Sequence, residues 1–361
     1  MTTIAILGGG NGGFAAAAHL QQLGHTPQLY NRSNETIAAI RAAGGVEYSG
    51  AAGDGFASIP VITTDLETAL DGADFVMISL PAIAFSELAT KLAPLLDGSR
   101  PILLNPGSTG GALAVRETLR ATGCDTVPPI GETNTLTYIC RKRSEDHIHL
   151  SSLVENVRFA ALPAAKRPVF DDVLEDVYPT LTPVPNVLHT ALSNVNAVLH
   201  PPGLLLSAAW IEHTDGDFRF YYDAGTPAVA NVMSDLDEER RAIATAWGLD
   251  VDPFPTMFAD IGSTSKAAGE SGSFLRTLRE SEPNKEIKAP SSVDHRFFNE
   301  DIPFGLVPMQ TLARIADVET PTIDSLITLA SSVTQSDYHA DGWTRDRLGL
   351  SDDMDAIQAD L

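Results

Sequence analysis

The segment from Ser193 to Pro202 is the clearest candidate for acid–base chemistry in this sequence. Asn196 and His200 stand four residues apart, so on a helix they share one face, and Ser193 lies on the same stripe. Two prolines follow His200 at once, and because neither has a backbone N–H, they are expected to end or kink the helix. His200 would then lie near a helix C-terminus, whose partial negative charge favours the imidazolium form. The segment therefore predicts a proton donor, with a structural histidine as the alternative.

A second cluster, from Arg296 to Gly305, combines a guanidinium group, two adjacent carboxylates and several aromatic rings. Arg296 is suited to binding a substrate carboxylate through two parallel hydrogen bonds. Either Glu300 or Asp301 is suited to orienting a histidine, and the spacing alone does not choose between them. The alternative is a charged surface segment that binds no ligand.

The glycines that follow Thr3–Leu7 have the spacing of a dinucleotide-binding loop, Gly8-x-Gly10-x-x-Gly13. In such a loop the first glycine makes a tight turn, the second admits a pyrophosphate, and the third lets the next helix pack on the strand. The phosphate then lies at the positive end of that helix. The predicted cofactor-binding residues of the loop are Gly8, Gly10, Asn11, Gly12 and Gly13. A glycine-rich turn without a ligand is the alternative.

The end of the second predicted strand indicates which nicotinamide cofactor binds. NAD sites usually have a carboxylate there for the ribose 2′-hydroxyl, whereas this strand runs into Asn31, Arg32 and Ser33. A guanidinium beside a hydroxyl is suited to a 2′-phosphate, so the sequence favours NADP. NAD remains the alternative, with Arg32 in a solvated turn and Asn31 bonding the ribose.

Two further apolar strands stop at polar or proline residues. Pro81 follows one of them and Asn105 ends the other. Because ligands of open α/β sheets bind at the carboxyl ends of the strands, both residues are predicted to contact the cofactor, with Asn105 at the nicotinamide ribose. Ordinary turns would give the same pattern.

The surrounding elements predict an α/β protein in two domains. Thr3–Leu7, the helical stretch Phe14–Leu23 and Thr26–Tyr30 form a strand–helix–strand unit, and the pattern recurs further along the chain. Strand signals nearly vanish after the prolines of Tyr178–Asn186. We therefore expect an N-terminal Rossmann domain, doubly wound with a mostly parallel sheet, over residues 1–184. An all-helical substrate domain is expected over 185–361.

Composition narrows the class of protein further. The 361 residues carry 24 basic and 47 acidic side chains, a net charge of −23, which disfavours binding to nucleic acid. No apolar run is long enough to span a membrane, and the two cysteines suggest neither a disulfide framework nor a metal site. These features predict a cytoplasmic protein, in which small-molecule substrates are the expected partners and a homodimer is allowed.

Taken together, these segments resemble the opine dehydrogenases, the octopine and nopaline dehydrogenase group. The resemblance extends over nearly the whole chain and is most specific in Asn194–His200 and in the spacing of Arg296 and Asp301. The other matching segments are Gly8–Gly13, Asn105–Gly107, Thr109–Gly111, Ile130–Thr133 and Leu162–Ala164. Members of this family join a Rossmann domain to a helical domain and reductively condense a 2-oxo acid, commonly pyruvate, with an amino acid, using NADH or NADPH.

The resemblance implies a role for each matching residue. His200 would be the acid–base group, Asp301 its carboxylate partner and Arg296 the anchor of the oxo acid. Glu132 would border the amino-acid subsite. Asn196 shares a helix face with His200 and is predicted to bind substrate as well. No pocket residue identifies the amino acid itself.

Two other functions compete with this one. A ketopantoate reductase-like dehydrogenase of 2-oxo or 2-hydroxy acids has the same two-domain plan but relies on a lysine in the site. The chain has six lysines, none of them in Ser193–Pro202. A sensor that binds NADP without turnover would leave His200, Arg296 and Asp301 without a role.

Overall fold

The computed structural model describes all residues from 1 to 361, and its contacts divide the chain into two units. The N-terminal unit comprises Met1–Gly107, Gly111–Val187 and Leu361, and the C-terminal unit comprises Ser108–Gly110 and Leu188–Asp360. The main division thus falls between residues 187 and 188, near the expected 184. No sequence feature predicts that residues 108–110 belong to the C-terminal unit.

The N-terminal unit is built on two sheets and six helices. Its strands are β1 (Thr3–Leu7), β2 (Thr26–Tyr30), β3 (Gly45–Gly50), β4 (Gly55–Ser58), β5 (Val61–Thr63), β6 (Phe75–Ile78), β7 (Ile102–Leu104), β8 (Ile130–Thr133), β9 (Tyr138–Lys142), β10 (His147–Leu153), β11 (Arg158–Leu162) and β12 (Thr182–Pro183). Its helices are α1 (Asn11–Gln22), α2 (Asn34–Ala43), α3 (Leu66–Leu70), α4 (Phe85–Leu92), α5 (Gly111–Ala121) and α6 (Pro168–Val177).

The larger sheet has the order β12-β11-β8-β7-β6-β1-β2-β5, and all its pairings are parallel except β11 with β8. The chain begins in the middle, winds outward through β2 and β5, and then crosses to β6 on the other side of β1. This reversal makes the carboxyl ends of β1 and β6 the switch point of a doubly wound sheet, where ligands bind. The predicted Rossmann domain is confirmed, with β1 and β2 at the predicted bounds.

The second sheet, of order β4-β3-β10-β9, was not predicted. Its strands β9 and β10 carry several charged and histidine residues, so their apolar pattern is weak.

The C-terminal unit is helical, as predicted, and its only β pairing is one isolated bridge between Arg219 and Lys288. Its helices are α7 (Val187–Ala191), α8 (Val195–Leu206), α9 (Ala208–Thr214), α10 (Phe220–Asp223), α11 (Pro227–Ala246), α12 (Phe254–Asp260), α13 (Lys266–Glu270), α14 (Phe274–Arg279), α15 (Arg296–Asn299), α16 (Val307–Ile315), α17 (Pro321–Thr334), α18 (Tyr338–Asp341) and α19 (Met354–Asp360). A π-helical turn, Ile302–Leu306, precedes α16.

Helix α8 corrects one prediction. It does not end at Pro201 but continues through both prolines to Leu206, so His200 lies in mid-helix and not near a C-terminus. Each proline removes one backbone hydrogen bond, a cost of about 3 kcal/mol in an isolated helix interior. Burial compensates for this cost, because Ala197, Val198 and Leu204 are completely buried.

No helix of the protein combines the length and the apolar character that a membrane span requires.

Candidate active site

The glycine loop at the end of β1 has the close approaches that its sequence predicts. Gly8 has a φ of 133°, and a Cβ added there would lie 2.3 Å from the carbonyl oxygen of Ser79. A Cβ on Gly13 would lie 1.7 Å from the carbonyl oxygen of Gly8, so only glycine lets α1 pack this closely on β1. Gly10, in contrast, has no atom within 4 Å of its added Cβ and opens on free space. This cradle fits the pyrophosphate of a dinucleotide.

Side chains from two neighbouring segments hold the loop in place. The Gly9 N–H donates to Asn31 Oδ1 at 2.9 Å, and the Lys142 N–H donates to Asn11 Oδ1 at 2.9 Å. Lys142 Nζ donates to the Gly9 carbonyl at 2.8 Å and lies 3.5 Å from the centre of the Phe14 ring. Burial lowers the pKa of Lys142. The side chains of Asn11 and Asn31, predicted to contact the cofactor, are thus bonded to the protein itself.

A cavity of about 340 Å³ opens beside the loop, and five of the ten predicted cofactor residues line it. Gly8, Asn31, Arg32, Ser33 and Pro81 all line it, together with the unpredicted Tyr30, Thr36, Leu80, Ile83, Ala84, Glu87, Leu88 and Lys91. The cavity has apolar walls for a nucleoside, and the charged residues Arg32, Glu87 and Lys91 also line it, as a site for a phosphate requires.

Glu87 is the central charge of that cavity. Its carboxylate accepts hydrogen bonds from Arg32 at 2.9 Å and from Lys91 at 2.6 Å. The Lys91 ammonium and then the Arg32 guanidinium hold the pKa of Glu87 below its usual value. The three side chains are well exposed, with Arg32 75% accessible, so solvent screens these ion pairs and they are easily exchanged for a ligand.

Asn105, directly after β7, and Glu132, in β8, are both buried and bonded within the protein. The Asn105 side chain is 1% exposed; its amide donates to Thr137 and Tyr178, and its carbonyl accepts from Thr133 and Thr137. Glu132 is completely buried, and Oε2 accepts the Ala112 N–H at 2.8 Å in the first turn of α5. Because neither side chain reaches solvent, the structure does not support the predicted ligand contacts.

The candidate catalytic pair of the C-terminal unit joins α8 to the segment before the π-helical turn. His200 Nδ1 lies 2.7 Å from Asp301 Oδ2, and the two residues are 6% and 7% exposed. The carboxylate accepts a hydrogen bond from the Nδ1–H group, which leaves Nε2 as the nitrogen that can exchange a proton. Of the two carboxylates that the sequence offered, Asp301 is therefore the partner of His200.

Packing between α8 and the π-helical turn determines which residue of α8 lies beside Asp301. The turn begins directly after Asp301, whose carbonyl accepts the Leu306 N–H at 3.0 Å across five residues. An added Cβ on Gly305 would lie 3.0 Å from the Cβ of Ala197, so this glycine allows the close approach. π-helical turns are frequent at functional sites because the extra residue re-aims neighbouring side chains.

Aromatic residues enclose the imidazole. The Phe297 ring stacks on His200 at a centroid distance of 3.8 Å, with the planes 14° apart, and the Tyr221 hydroxyl lies 3.0 Å from Nε2. Burial, and then the charge of Asp301, raise the pKa of Tyr221. Neither aromatic residue was predicted to contact the histidine, since clustered aromatic residues are ordinary core residues by their pattern.

Arg296 and Asn196 have side chains available to a ligand. Arg296 is 65% accessible, and its guanidinium pairs with Glu300 at 2.8 Å, so Glu300 does not orient the histidine. Asn196 is half-buried in the first turn of α8, one helical turn before His200. Desolvation and the nearby Arg296 lower the pKa of His295, the residue before Arg296. The protein has no cluster of side chains suited to a metal ion.

Comparison with known proteins agrees with both units. Residues 183–334 match the family described as NAD/NADP octopine/nopaline dehydrogenase, alpha-helical domain. Residues 3–107 match the N-terminal domain of NAD-dependent glycerol-3-phosphate dehydrogenase. The opine dehydrogenase of Arthrobacter sp. (strain 1C) is 35% identical over 97% of this chain and 95% of its own length.

Two solved structures share the fold at lower identity. Octopine dehydrogenase with NADH and L-arginine has a TM-score of 0.80 and 19% identity, covering 99% of this chain and 98% of the other. Yersinopine dehydrogenase with NADP⁺ has a TM-score of 0.75 and 16% identity, covering 100% and 97%. The chain belongs to the opine dehydrogenase family, NAD(P)H-dependent oxidoreductases that reductively condense a 2-oxo acid with the amino group of an amino acid.

Proposed function

We propose that this protein is an NADP-preferring opine dehydrogenase in which His200, Asp301 and Arg296 act on a 2-oxo acid, such as pyruvate, and an amino acid. The observation that carries the proposal is the buried His200–Asp301 pair at 2.7 Å, with Arg296 exposed in the same segment. A histidine bonded to a carboxylate through Nδ1 is an established arrangement for acid–base work.

His200 supports the step that precedes reduction. The amine adds to the oxo acid to give a carbinolamine, and its hydroxyl must leave as water before a C=N bond forms. The imidazolium gives its Nε2 proton to that hydroxyl, the C–O bond breaks, and the nitrogen lone pair forms the C=N bond. Asp301 stabilises the imidazolium and holds the ring in one orientation.

Arg296 is proposed to bind the carboxylate of the oxo acid. Its guanidinium pairs with Glu300, and because the Arg296 side chain is 65% accessible, its remaining N–H groups are able to bind a substrate carboxylate while that pair persists. A planar guanidinium binds a carboxylate through two parallel hydrogen bonds and so fixes the orientation of the keto carbon. Asn196 is proposed to contact substrate as well, since its side chain forms no hydrogen bond within the protein.

The cavity beside the glycine loop supports NADP over NAD. The end of β2 carries Arg32 and Ser33 in place of a carboxylate, and Lys91 adds a second cation. A 2′-phosphate has the charge and acceptor atoms to replace Glu87 between Arg32 and Lys91. The bound nicotinamide supplies the hydride that reduces the C=N carbon.

The proposed substrates and cofactor are metabolites of the cytoplasm, and both cysteines are free thiols. These features support a cytoplasmic location, because disulfides are rare in that reducing compartment.

The test is cofactor consumption over a matrix of 2-oxo acids and amino acids, with NADPH and NADH in parallel. We expect oxidation that requires both an oxo acid and an amine and is faster with NADPH at low cofactor concentration. Consumption with an oxo acid alone would indicate a 2-hydroxy acid dehydrogenase. Tight binding of NADPH without its consumption for any combination of substrates would indicate a sensor.

A further inference from the structure

The Tyr221 hydroxyl forms a hydrogen bond with Nε2, the nitrogen of His200 that can exchange a proton. It lies 3.0 Å from Nε2, on the opposite side of the ring from Asp301, and it has no other hydrogen-bond partner. Tyr221 is 8% exposed and sits in α10, twenty-one residues beyond His200 in the chain. Nothing in the sequence spacing relates the two residues.

We propose that Tyr221 is a positioning residue that keeps Nε2 of His200 hydrogen-bonded in both protonation states of the ring until the carbinolamine hydroxyl takes its place at that nitrogen. A hydroxyl group is both donor and acceptor. It donates its O–H to the lone pair of the neutral ring and accepts the N–H of the imidazolium. Asp301 can act only as an acceptor while it is ionised, so it cannot perform this double role.

Reversal of this hydrogen bond requires rotation of one O–H bond and no movement of a heavier atom. The ring is therefore held in one orientation in both its charged and its neutral form, ready for the substrate hydroxyl that replaces Tyr221 at Nε2 during proton transfer. Burial raises the pKa of Tyr221, which keeps the hydroxyl protonated and prevents a phenolate from competing with Asp301.

The two partners and the stacked ring together fix the orientation of the imidazole. Asp301 and Tyr221 bind opposite nitrogens, so a half-turn of the ring would direct carbon atoms at both partners. Phe297 covers one face at 3.8 Å and limits tilting. The other charged or titratable groups near this cluster are His295 and Arg296, and neither is hydrogen-bonded to the ring.

This inference rests on the proposed function of His200, and the experiment separates the two. Tyr221→Phe removes only the hydroxyl group, and Tyr222→Phe is the matched control. Tyr222 is the next residue, but its ring contacts the Arg219 guanidinium and not the histidine. Both variants and the wild type are assayed for kcat, for KM of each substrate and for the dissociation constant of the cofactor.

We expect Tyr221→Phe to lower kcat roughly ten- to a hundredfold, because the ring loses the hydrogen bond that orients it for proton transfer. KM of the oxo acid and cofactor affinity should stay within about threefold of wild type, and Tyr222→Phe should match wild type throughout. A merely structural role of Tyr221 would instead lower the melting temperature without changing kcat of the folded enzyme.

Nitrogen NMR of ¹⁵N-histidine-labelled protein without substrate gives a readout that does not depend on activity. The His200 signals are identified by their loss in His200→Gln, and Nε2 should shift in Tyr221→Phe but not in Tyr222→Phe. An unshifted Nε2 signal, or a kcat of Tyr221→Phe within threefold of wild type, would overturn the inference. If the wild type condenses no pair of substrates, the proposed function fails, while the Nε2 signal still decides the role of Tyr221.

Discussion

Replacing Asp301 by asparagine removes the charge beside the imidazole and preserves the size of the side chain. The carboxylate lies 2.7 Å from His200 Nδ1 with both residues under 10% exposed, so solvent screens the interaction little. A hydrogen bond between charged groups contributes about 1.5–3 kcal/mol, which corresponds to roughly ten- to a hundredfold in rate.

The asparagine adds a second effect on the neutral ring. Its amide N–H₂ group is able to donate to Nδ1, which moves the ring proton to Nε2 and stabilises the wrong tautomer for accepting a proton there. Together the two effects predict a loss of about 10²–10⁴ in kcat for Asp301→Asn, similar to that expected for His200→Ala. Cofactor affinity should be unchanged, since the dinucleotide cradle lies in the other unit.

The assay follows NADPH oxidation at saturating substrates, with cofactor binding measured separately by fluorescence. Asp294→Asn is the matched control, because it removes an exposed carboxylate seven residues earlier that bonds Asn299 and not the histidine. The double variant His200→Ala/Asp301→Asn should be no more than about twofold slower than His200→Ala, because the pair acts as one unit. Multiplying losses in the double variant, or an Asp301→Asn enzyme with more than a tenth of wild-type kcat, would refute the reasoning.

Three further outcomes are expected. Arg32→Ala should weaken NADPH roughly ten- to a hundredfold and NADH little, and equal losses in a titration with both cofactors would contradict a 2′-phosphate site. Arg296→Lys keeps the charge but loses the planar pair of donors, so KM of the oxo acid should rise strongly while cofactor affinity holds; a drop in melting temperature with KM unchanged would indicate a structural ion pair. Burial lowers the pKa of His19 to about 4, so the unfolded chain takes up a proton first as the pH falls below about 6.5. The free energy of unfolding should therefore decline by about 3 kcal/mol between pH 6.5 and pH 4, and urea titrations of His19→Gln should lack that part of the decline.

Local chemistry made the framework of this protein predictable. The glycine spacing after β1 requires a tight turn and a close helix, and alternation of apolar strands with amphipathic helices leaves few folds other than a doubly wound sheet. The prolines before Val187 and the loss of strand signals beyond them marked the change to a helical unit. Residue types also identified the histidine and the carboxylate segment as candidates, because few side chains are suited to proton transfer and to binding a carboxylate.

Tertiary packing decided the remaining features, since they depend on contacts between segments that are distant in the chain. Helix α8 continues through two prolines because its buried residues compensate for two lost hydrogen bonds, which local propensity does not register. The choice of Asp301 over its neighbour Glu300 follows from the π-helical turn and from the approach of Gly305 to α8.

The second sheet, the Lys142 contact with the glycine loop and the Tyr221 contact with His200 were likewise invisible in the sequence. Asn105 and Glu132 show the converse case, since their types and positions predicted ligand contacts and burial directed both side chains into the protein. Sequence patterns report which residues are able to do chemistry. Desolvation decides which of them face a ligand and which form hydrogen bonds inside the protein, because every buried polar group must find a partner.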